Sequence, residues 1–410
     1  MSNTIKTLSA GDITRKALSI LHNELVFCKT INKEYDDRFA RSGAKNGGTL
    51  LIREPNQFIV RSGAIMDTQD VTETTQTLTV ATQLGVDINF SSVELTLSLD
   101  DFSERILKPA MTRLAAEVDT TVITSCYHSV YNFIPGTLGG QPTLADVAGA
   151  RAKLAKGLAP TSDRILMTDS LAMNNIATSS GSMFNPVSEI SRQYETGLVG
   201  QLYGFKFYES EMTPAHTTGS RQDTTPVCST TALAALSAAG AIPIVGMSAD
   251  AVYLPGDIFT IAGVYAVNPE TKATYPHLQQ FSVITTVSAS GTGSTDVYVS
   301  PNIYCSASGA KQNMKVVTAA ASAAMENLDF GVKSTTYTNS LAYHKNAFTM
   351  VTADLEMPKG VDFAAREVYD GISLRVVRNY DIVNDKFPCR IDVLFGWKTI
   401  MPGWACRLCS

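Results

Sequence analysis

The chain has 410 residues, 44% hydrophobic and only 17% charged, with a formal net charge of −5. Its apolar content excludes a disordered chain, and 33 Lys plus Arg against 38 Asp plus Glu argues against a protein that grips nucleic acid by bulk charge. A soluble average lies nearer a quarter charged, so the surface is unusually neutral or largely hidden, over a length that holds roughly two to three domains' worth of core.

The opening MSNTIKTLSAGDITRK lacks the charged-then-apolar pattern of a secretion signal, and the expectation is a protein that stays in the cytosol of the cell that makes it. Seven cysteines spread from Cys28 to Cys409 are too sparse for a disulfide scaffold and read as reduced, small apolar side chains. The most apolar stretch, Thr231 to Met247, is short, rich in Ala and Gly and broken by Pro243, so no membrane span is expected.

Apolar residues Ile13, Ala17, Leu18, Leu21, Leu25 and Val26 recur at helical spacing and predict an amphipathic arm helix over Ile13 to Phe27, capped by Asp12. Residues 41–84 follow as strand-like pieces separated by Gly43, Gly47, Gly48, Pro55 and Gly63. Thr49 to Arg53 and Gln57 to Arg61 flank a Glu-Pro-Asn turn, and Thr74 to Thr82 alternates polar and apolar. This β excursion carries too little apolar material for a core of its own and must rest on something else. Charge is segregated around it. Residues 1–61 hold ten basic and six acidic side chains, whereas 62–104 hold no Lys or Arg and eight acids, Asp67, Asp70, Glu73, Asp87, Glu94, Asp100, Asp101 and Glu104. Such blocks either pair or form solvated faces.

Gly85 to Leu99 reads as two short strands, VDINF and VELTL, and Asp100 or Asp101 caps a helical run. Phe102, Ile106, Ala110, Leu114, Val118, Val122, Cys126 and Val130 repeat every four residues, with Pro109 at a kink or a new helix start. Up to about 25 residues after Pro109 would make a rod of roughly 35 Å. Thr143 caps a helix from Leu144 to Lys156 that ends at Gly157. Asp163 to Thr168 is a buried strand, a further helix is expected near Pro186 to Tyr194, and GFKFYES is another strand, giving an α/β region. Between Thr224 and Ala310 the charged residues are Asp250, Asp257, Glu270, Lys272 and Asp296. Helical periodicity vanishes there, and strands at Asp257 to Val267, Phe281 to Val287 and Asp296 to Val299 indicate a small β insertion. After Ser340 three alternating strands return: AFTMVTADLEM, ISLRVVRNYDIV and CRIDVLFGWKTIM.

Catalytic and ligand-binding motifs are weak. Gly43 to Thr49 lacks the Gly-Lys-Ser/Thr closure of a phosphate loop and reads as a glycine hinge. Cys406 and Cys409 have metal-ligand spacing, with Cys389 and His344 conceivable beside them, but no second Cys pair exists and packing is the stronger reading. Cys126 continues the apolar stripe and faces away from His128. His22, His216 and His277 show no metal-binding spacing, and Asp36-Asp37 and Asp100-Asp101 read as caps. Arg375, Arg378 and Tyr380 alternate as on a half-exposed strand, either facing phosphate or forming a solvated sheet face. No catalytic residue, metal site or cofactor is expected.

An arm, a coreless β excursion, a long helix, an α/β region and a β insertion make a poor monomer and a plausible assembling subunit. The residues also resemble a known family. The run GVDINFSSVELTLSLDDFSERILKPA from Gly85 to Ala110 looks like the lead-in to the spine helix of podovirus-type coat proteins, those related to the Salmonella short-tailed phage coat protein. The resemblance continues in Arg192 to Tyr194 with Gly204-Phe205, in PAHT (Pro214 to Thr217), and in GDIFTIAGVYAVNP (Gly256 to Pro269). It appears again in LAYHK (Leu341 to Lys345) with ADLE (Ala353 to Glu356), and in PCRIDVLFGWK (Pro388 to Lys398).

The resemblance implies an α+β chain with the tailed-phage/herpesvirus-type capsid fold and a major capsid protein that self-assembles into the icosahedral shell around the double-stranded DNA of a tailed bacteriophage. It divides the chain into an N-terminal arm helix (1–40), an extended β loop lying on a neighbouring subunit (41–84), and peripheral strands with the spine helix (85–135). The axial α/β domain (136–219), the inserted β domain (220–335) and C-terminal strands completing the core (336–410) follow. The implied partners are further copies in pentamers and hexamers, a scaffolding protein, a portal protein, and packaged DNA without sequence-specific contact. No membrane is implied. The location is the virion shell, assembled in the host cytoplasm. Arg53, Arg61, Asp67, Asp70 and Glu73 are the candidates for intersubunit contact. The shell of a bacterial nanocompartment, which shares the fold, is the alternative, and the insertion argues against it; an α/β enzyme would need a convergent polar site the sequence does not show.

Overall fold

The computed structural model describes residues 10–36, 49–60, 63–66, 68, 73–91, 106–180, 200–220, 226–234, 237–248, 251–290, 293–305, 310–317, 320, 322–328, 334–384 and 386–409. Helices and strands are both abundant, as expected of an α+β chain, and the chain forms two compact units. The first gathers Met1–Arg53, Thr75–Val122 and Phe348–Lys398; the second gathers Glu54–Thr74, Ile123–Ala347 and Thr399–Ser410.

The first unit is built on a six-stranded sheet. Asn32–Asp36 runs parallel to Phe348–Ala353, followed by Lys386–Thr399, Ile372–Arg378 and Phe363–Tyr369, with Thr82–Ser91 also paired to Lys386–Thr399. Phe363–Tyr369 was not expected from the sequence, although the Asp370-Gly371 turn after it is a strong two-residue hairpin signal. The arm helix spans Ala10–Glu24, so Asp12 lies inside its first turn and is not its cap. It is no free arm, because Ala17, Leu18 and Leu21 are buried. Its outer side chains join the hairpin, with Arg15 3.4 Å from Glu367 and His22 2.8 Å from Asp370, and Lys33 also bonds Asp370.

The β excursion pairs differently from the sequence reading. Thr49–Arg53 pairs antiparallel with Thr75–Thr79 in the register Arg53 to Thr75, and Gln57 to Val60 is not a strand. Alternation explains the difference. Leu50, Ile52, Leu78 and Val80 give both true strands an apolar face, which packs on Val351, Ala353 and Leu394 of the sheet. Phe58, Ile59 and Val60 are consecutive and cannot all point one way. Gly396 allows the close approach, since a Cβ there would lie 2.3 Å from the Thr79 carbonyl oxygen.

The spine helix is Lys108–Tyr127, 20 residues and roughly 30 Å, with Pro109 tolerated in its first turn. Leu114, Val118, Val122 and Cys126 of the four-residue repeat are buried, with Met111 and Ala115 beside them, whereas Ile106 is exposed and Ala110 half-buried. Strand VELTL, the Asp100 or Asp101 cap and the helix near Pro186 to Tyr194 lie outside the described residues.

In the second unit, Phe133–Ile134, Ala405–Cys409, Thr336–His344, Arg164–Thr168, Phe205–Glu209 and Gln201–Leu202 form a mixed sheet, with Ala215–Thr217 beside Thr336–His344. Leu144–Lys156 and Ser170–Ser180 are its helices. The first begins in a capping box between Thr143 and Asp146. Val147, Ala150, Leu154, Leu166, Met173, Ile176 and Phe205 make the core.

The insertion is a closed barrel. Ile258–Val267 pairs with Thr274–Val283, then Thr295–Tyr304, Ser237–Val245, Val227–Cys228 and Ala323–Asn327, which pairs back to Ile258–Val267. These six strands are antiparallel throughout and Met314–Val316 adds to Ile258–Val267. Closure removes the exposed edges that an open polar sheet would present. Phe259 and Phe281 stack inside it, centroids 5.6 Å apart, among Tyr253, Ile261, Val283, Val297 and Val299. The apolar stretch thus holds a short helix, Thr230–Ala234, and a barrel strand, Ser237–Val245, and no described helix is long and apolar enough to cross a membrane.

Candidate assembly interface

Of the five charged candidates, Arg53 and Glu73 are described and both are exposed; Arg61, Asp67 and Asp70 lie outside the described residues. Arg53 ends its strand opposite Thr75.

Within the second unit the segment Glu54–Thr74 is tied at its base. The Glu54 backbone N–H donates to the Thr74 carbonyl at 2.9 Å, the Thr74 hydroxyl to the Glu54 carboxylate at 2.8 Å, and Lys311 Nζ to the Thr74 hydroxyl at 3.0 Å. Beyond that clasp several described side chains are large, apolar and solvent-facing: Phe58 is 61% exposed, Val60 94%, Ile65 88% and Met66 76%. The charge reading missed this feature. The triplet Phe58-Ile59-Val60, flanked by turn residues, was its visible signal, and a strand had been assigned to it.

A tyrosine, a histidine and an aspartate stand in line in the second unit. His216 Nε2 is 2.9 Å from Asp257 Oδ1 and Nδ1 is 3.1 Å from the Tyr127 hydroxyl. The order resembles a hydrolase relay, but His216 is 2% and Asp257 0% exposed, and Asp257 also accepts the backbone N–H groups of Leu254 and Gly219. A Cβ on Gly256 would lie 2.9 Å from the His216 ring, which leaves no room for a substrate. Arg407, fully buried, completes the knot by donating to the carbonyls of Val130 at 2.9 Å and Gly256 at 2.8 Å and to the Ser282 hydroxyl at 3.1 Å. Burial, with the Arg407 charge and His216 adding to it, lowers the neighbouring His128 to about 4, and burial pushes Tyr127 up to about 12. Buried donors and acceptors here satisfy each other, fastening the barrel to the mixed sheet and the end of the spine helix.

The other chemical candidates resolve into packing. Cys126 is buried and its thiol pushed up to about 12, as is Cys406, beyond the range of a reactive thiolate. Cys406 and Cys409 sit in one strand at odd spacing, which sends them to opposite faces. No group of three or more His, Cys, Asp or Glu able to hold a metal occurs among the described residues. Arg375 bonds Asp392 at 2.7 Å and Arg378 bonds Asp362 at 2.8 Å, so the strand that could have faced phosphate has its guanidiniums already neutralised. The glycine hinge at 43–48 lies outside the described residues.

Phe58, Ile59, Val60, Ile65 and Met66 thus form a group of exposed large apolar side chains within one short segment of the described chain. A model of the P22 coat protein family, described as P22 coat protein, gene protein 5, matches residues 11–406. The chain belongs to that family and is a phage major capsid protein that forms the shell. No curated protein matches it by sequence. Among solved structures it is similar to the acidic stable capsid of Helicobacter pylori bacteriophage KHP30, at 10% identity and TM-score 0.45, over 92% of this chain and 87% of that one. The mature capsid of bacteriophage PhiM1 matches at 11% identity and TM-score 0.44, over 94% and 86%. A virus-like particle from Pyrococcus furiosus matches at 7% identity and TM-score 0.40, over 97% of each.

Proposed function

We propose that the segment Glu54–Thr74 is the subunit's main grip on a neighbouring copy, with the apolar side chains of its tip docking and Arg53, Arg61, Asp67, Asp70 and Glu73 setting register around them. The observation that carries this is the exposure of Phe58, Val60, Ile65 and Met66 on one short segment, the kind of apolar display a soluble monomer avoids. Heterologous contacts of this kind close into rings, which fits pentamers and hexamers in a shell. The resemblance further assigns a scaffolding protein and a portal protein as partners, assembly in the host cytoplasm, and a structural role without catalysis. A net charge of −5 and the pairing of Arg375 and Arg378 with carboxylates favour packaged DNA held by confinement, without sequence-specific contact.

Phe58→Asp and Val60→Asp test the grip. Each variant is expected to remain folded by circular dichroism and to fail to form particles with a scaffolding protein in electron micrographs. Particles at unaltered yield from both variants would remove the tip from the interface.

A further inference from the structure

We propose that a crevice in the second unit, between the last turn of the helix Leu144–Lys156 and the strand Thr274–Val283, binds a compact oxyanion of the phosphate class through Lys153, Lys156 and His277. The cavity measures about 80 Å³, several times the roughly 10–15 Å³ that one water needs. Three nitrogen groups converge on it. Lys156 Nζ is 3.4 Å from His277 Nδ1 and 5.6 Å above the ring of Tyr275, on which His277 stacks at 5.3 Å. Lys153 Nζ donates to Gln280 Oε1 at 3.0 Å.

Two observations indicate that this cluster is short of an anion. Neither lysine has a carboxylate within ion-pair distance among the described residues, although two ammonium groups and an imidazole are held together. Burial first, and then the two lysine charges, lower His277 to about 4; burial and Lys156 lower Lys153, against an opposing pull from Cys406. An ammonium group held near another cation is stabilised when a dianion enters.

The lysines are also not needed as caps. Basic groups often serve the carbonyls at a helix end, but here other donors have taken them. Gly157 N–H bonds Lys153 O, Ala159 N–H bonds Leu154 O and Leu158 N–H bonds Ala155 O. The Tyr275 hydroxyl reaches Lys156 O, and Trp404 Nε1 bonds Gly157 O. Gln280 is saturated as well, since it accepts the Phe133 N–H and donates to the Phe133 carbonyl. The remaining ammonium protons therefore stay available to a ligand with several oxygens.

The test uses the full chain in inorganic phosphate, with sodium chloride and sodium acetate at matched ionic strength near pH 7.5. Phosphate is expected to raise the unfolding midpoint above both controls and to shift the His277 ring resonances saturably. Lys156→Gln, which alters an exposed side chain, and Lys153→Gln are each expected to weaken that binding at least ten-fold. Equal midpoints in phosphate and chloride, or an undiminished phosphate effect in Lys156→Gln, would overturn the site. An acetate effect equal to that of phosphate would overturn the phosphate class.

Discussion

Asp119 Oδ1 accepts the backbone N–H of Cys28 at 2.9 Å, while Oδ2 of the same carboxylate takes those of Val26 and Phe27 at 2.7 and 3.1 Å. One side chain of the spine helix thus caps the short helix Phe27–Thr30, whose own Val26 offers no side-chain cap. Burial pushes the Asp119 carboxyl up, and the Cys28, Val26 and Phe27 bonds oppose that shift.

Removing the carboxylate leaves three N–H groups, two of them buried, without this acceptor. Asp119→Ala is expected to cost about 3–5 kcal/mol, read from the urea midpoint of the soluble subunit. Asp119→Asn should fall between, because one of its two positions becomes a donor facing donors. A loss below about 1 kcal/mol in Asp119→Ala would mean that water replaces the cap.

Acid should loosen the subunit before it protonates ordinary carboxylates. The folded value of His128, about 4, lies below its reference of 6.5, so the folded state binds fewer protons than the unfolded one in that interval. The stability linked to neutral His128 is therefore full above about pH 6.5 and lost as pH falls through about 4, an effect of about 2 kcal/mol after allowance for partial exposure. His277 and His344 shift in the same direction. Urea midpoints measured from pH 7.5 to 4.5 should decline, and His128→Gln should flatten that decline. An unchanged slope in the variant would assign the acid sensitivity elsewhere.

The contact of Gly396 with the hairpin makes a local prediction. A Cβ there would sit 2.3 Å from Thr79 O and 2.9 Å from Val80 Cα, both backbone atoms that cannot rotate away. Gly396→Ala is expected to destabilise the subunit by about 1–3 kcal/mol. It should also speed amide exchange across Thr75–Thr79 by ten-fold or more. Wild-type exchange in that strand would show that the hairpin is held from its other side.

Much of this architecture was legible in the chain. The four-residue repeat through Leu114, Val118 and Val122 located the spine helix, Thr143 and Gly157 bounded the helix between them, and the loss of charge after Thr224 marked a β-rich stretch that proved to hold the barrel. Those signals are local or compositional, and water alone enforces them, because an apolar stripe must be covered wherever the helix goes. Asp119 was not legible. An acid within an apolar repeat reads as a surface position until the chain that brings Val26 to Cys28 against it is known. The apolar tip was visible as Phe58-Ile59-Val60, yet local pattern assigned it to a strand.

By itself, then, the sequence determined the α+β class, the spine helix and the helix after Thr143, the presence of a β-rich stretch after Thr224 and, through its motifs, the coat protein resemblance. Tertiary structure alone decided which strands pair, that the insertion closes into a barrel, and that Tyr127, His216, Asp257 and Arg407 form one sealed knot. It also decided that Lys153, Lys156 and His277 share a crevice. Pairing and clustering join residues far apart in the chain, such as Arg407 and Gly256, through directional bonds whose partners only folding brings within reach.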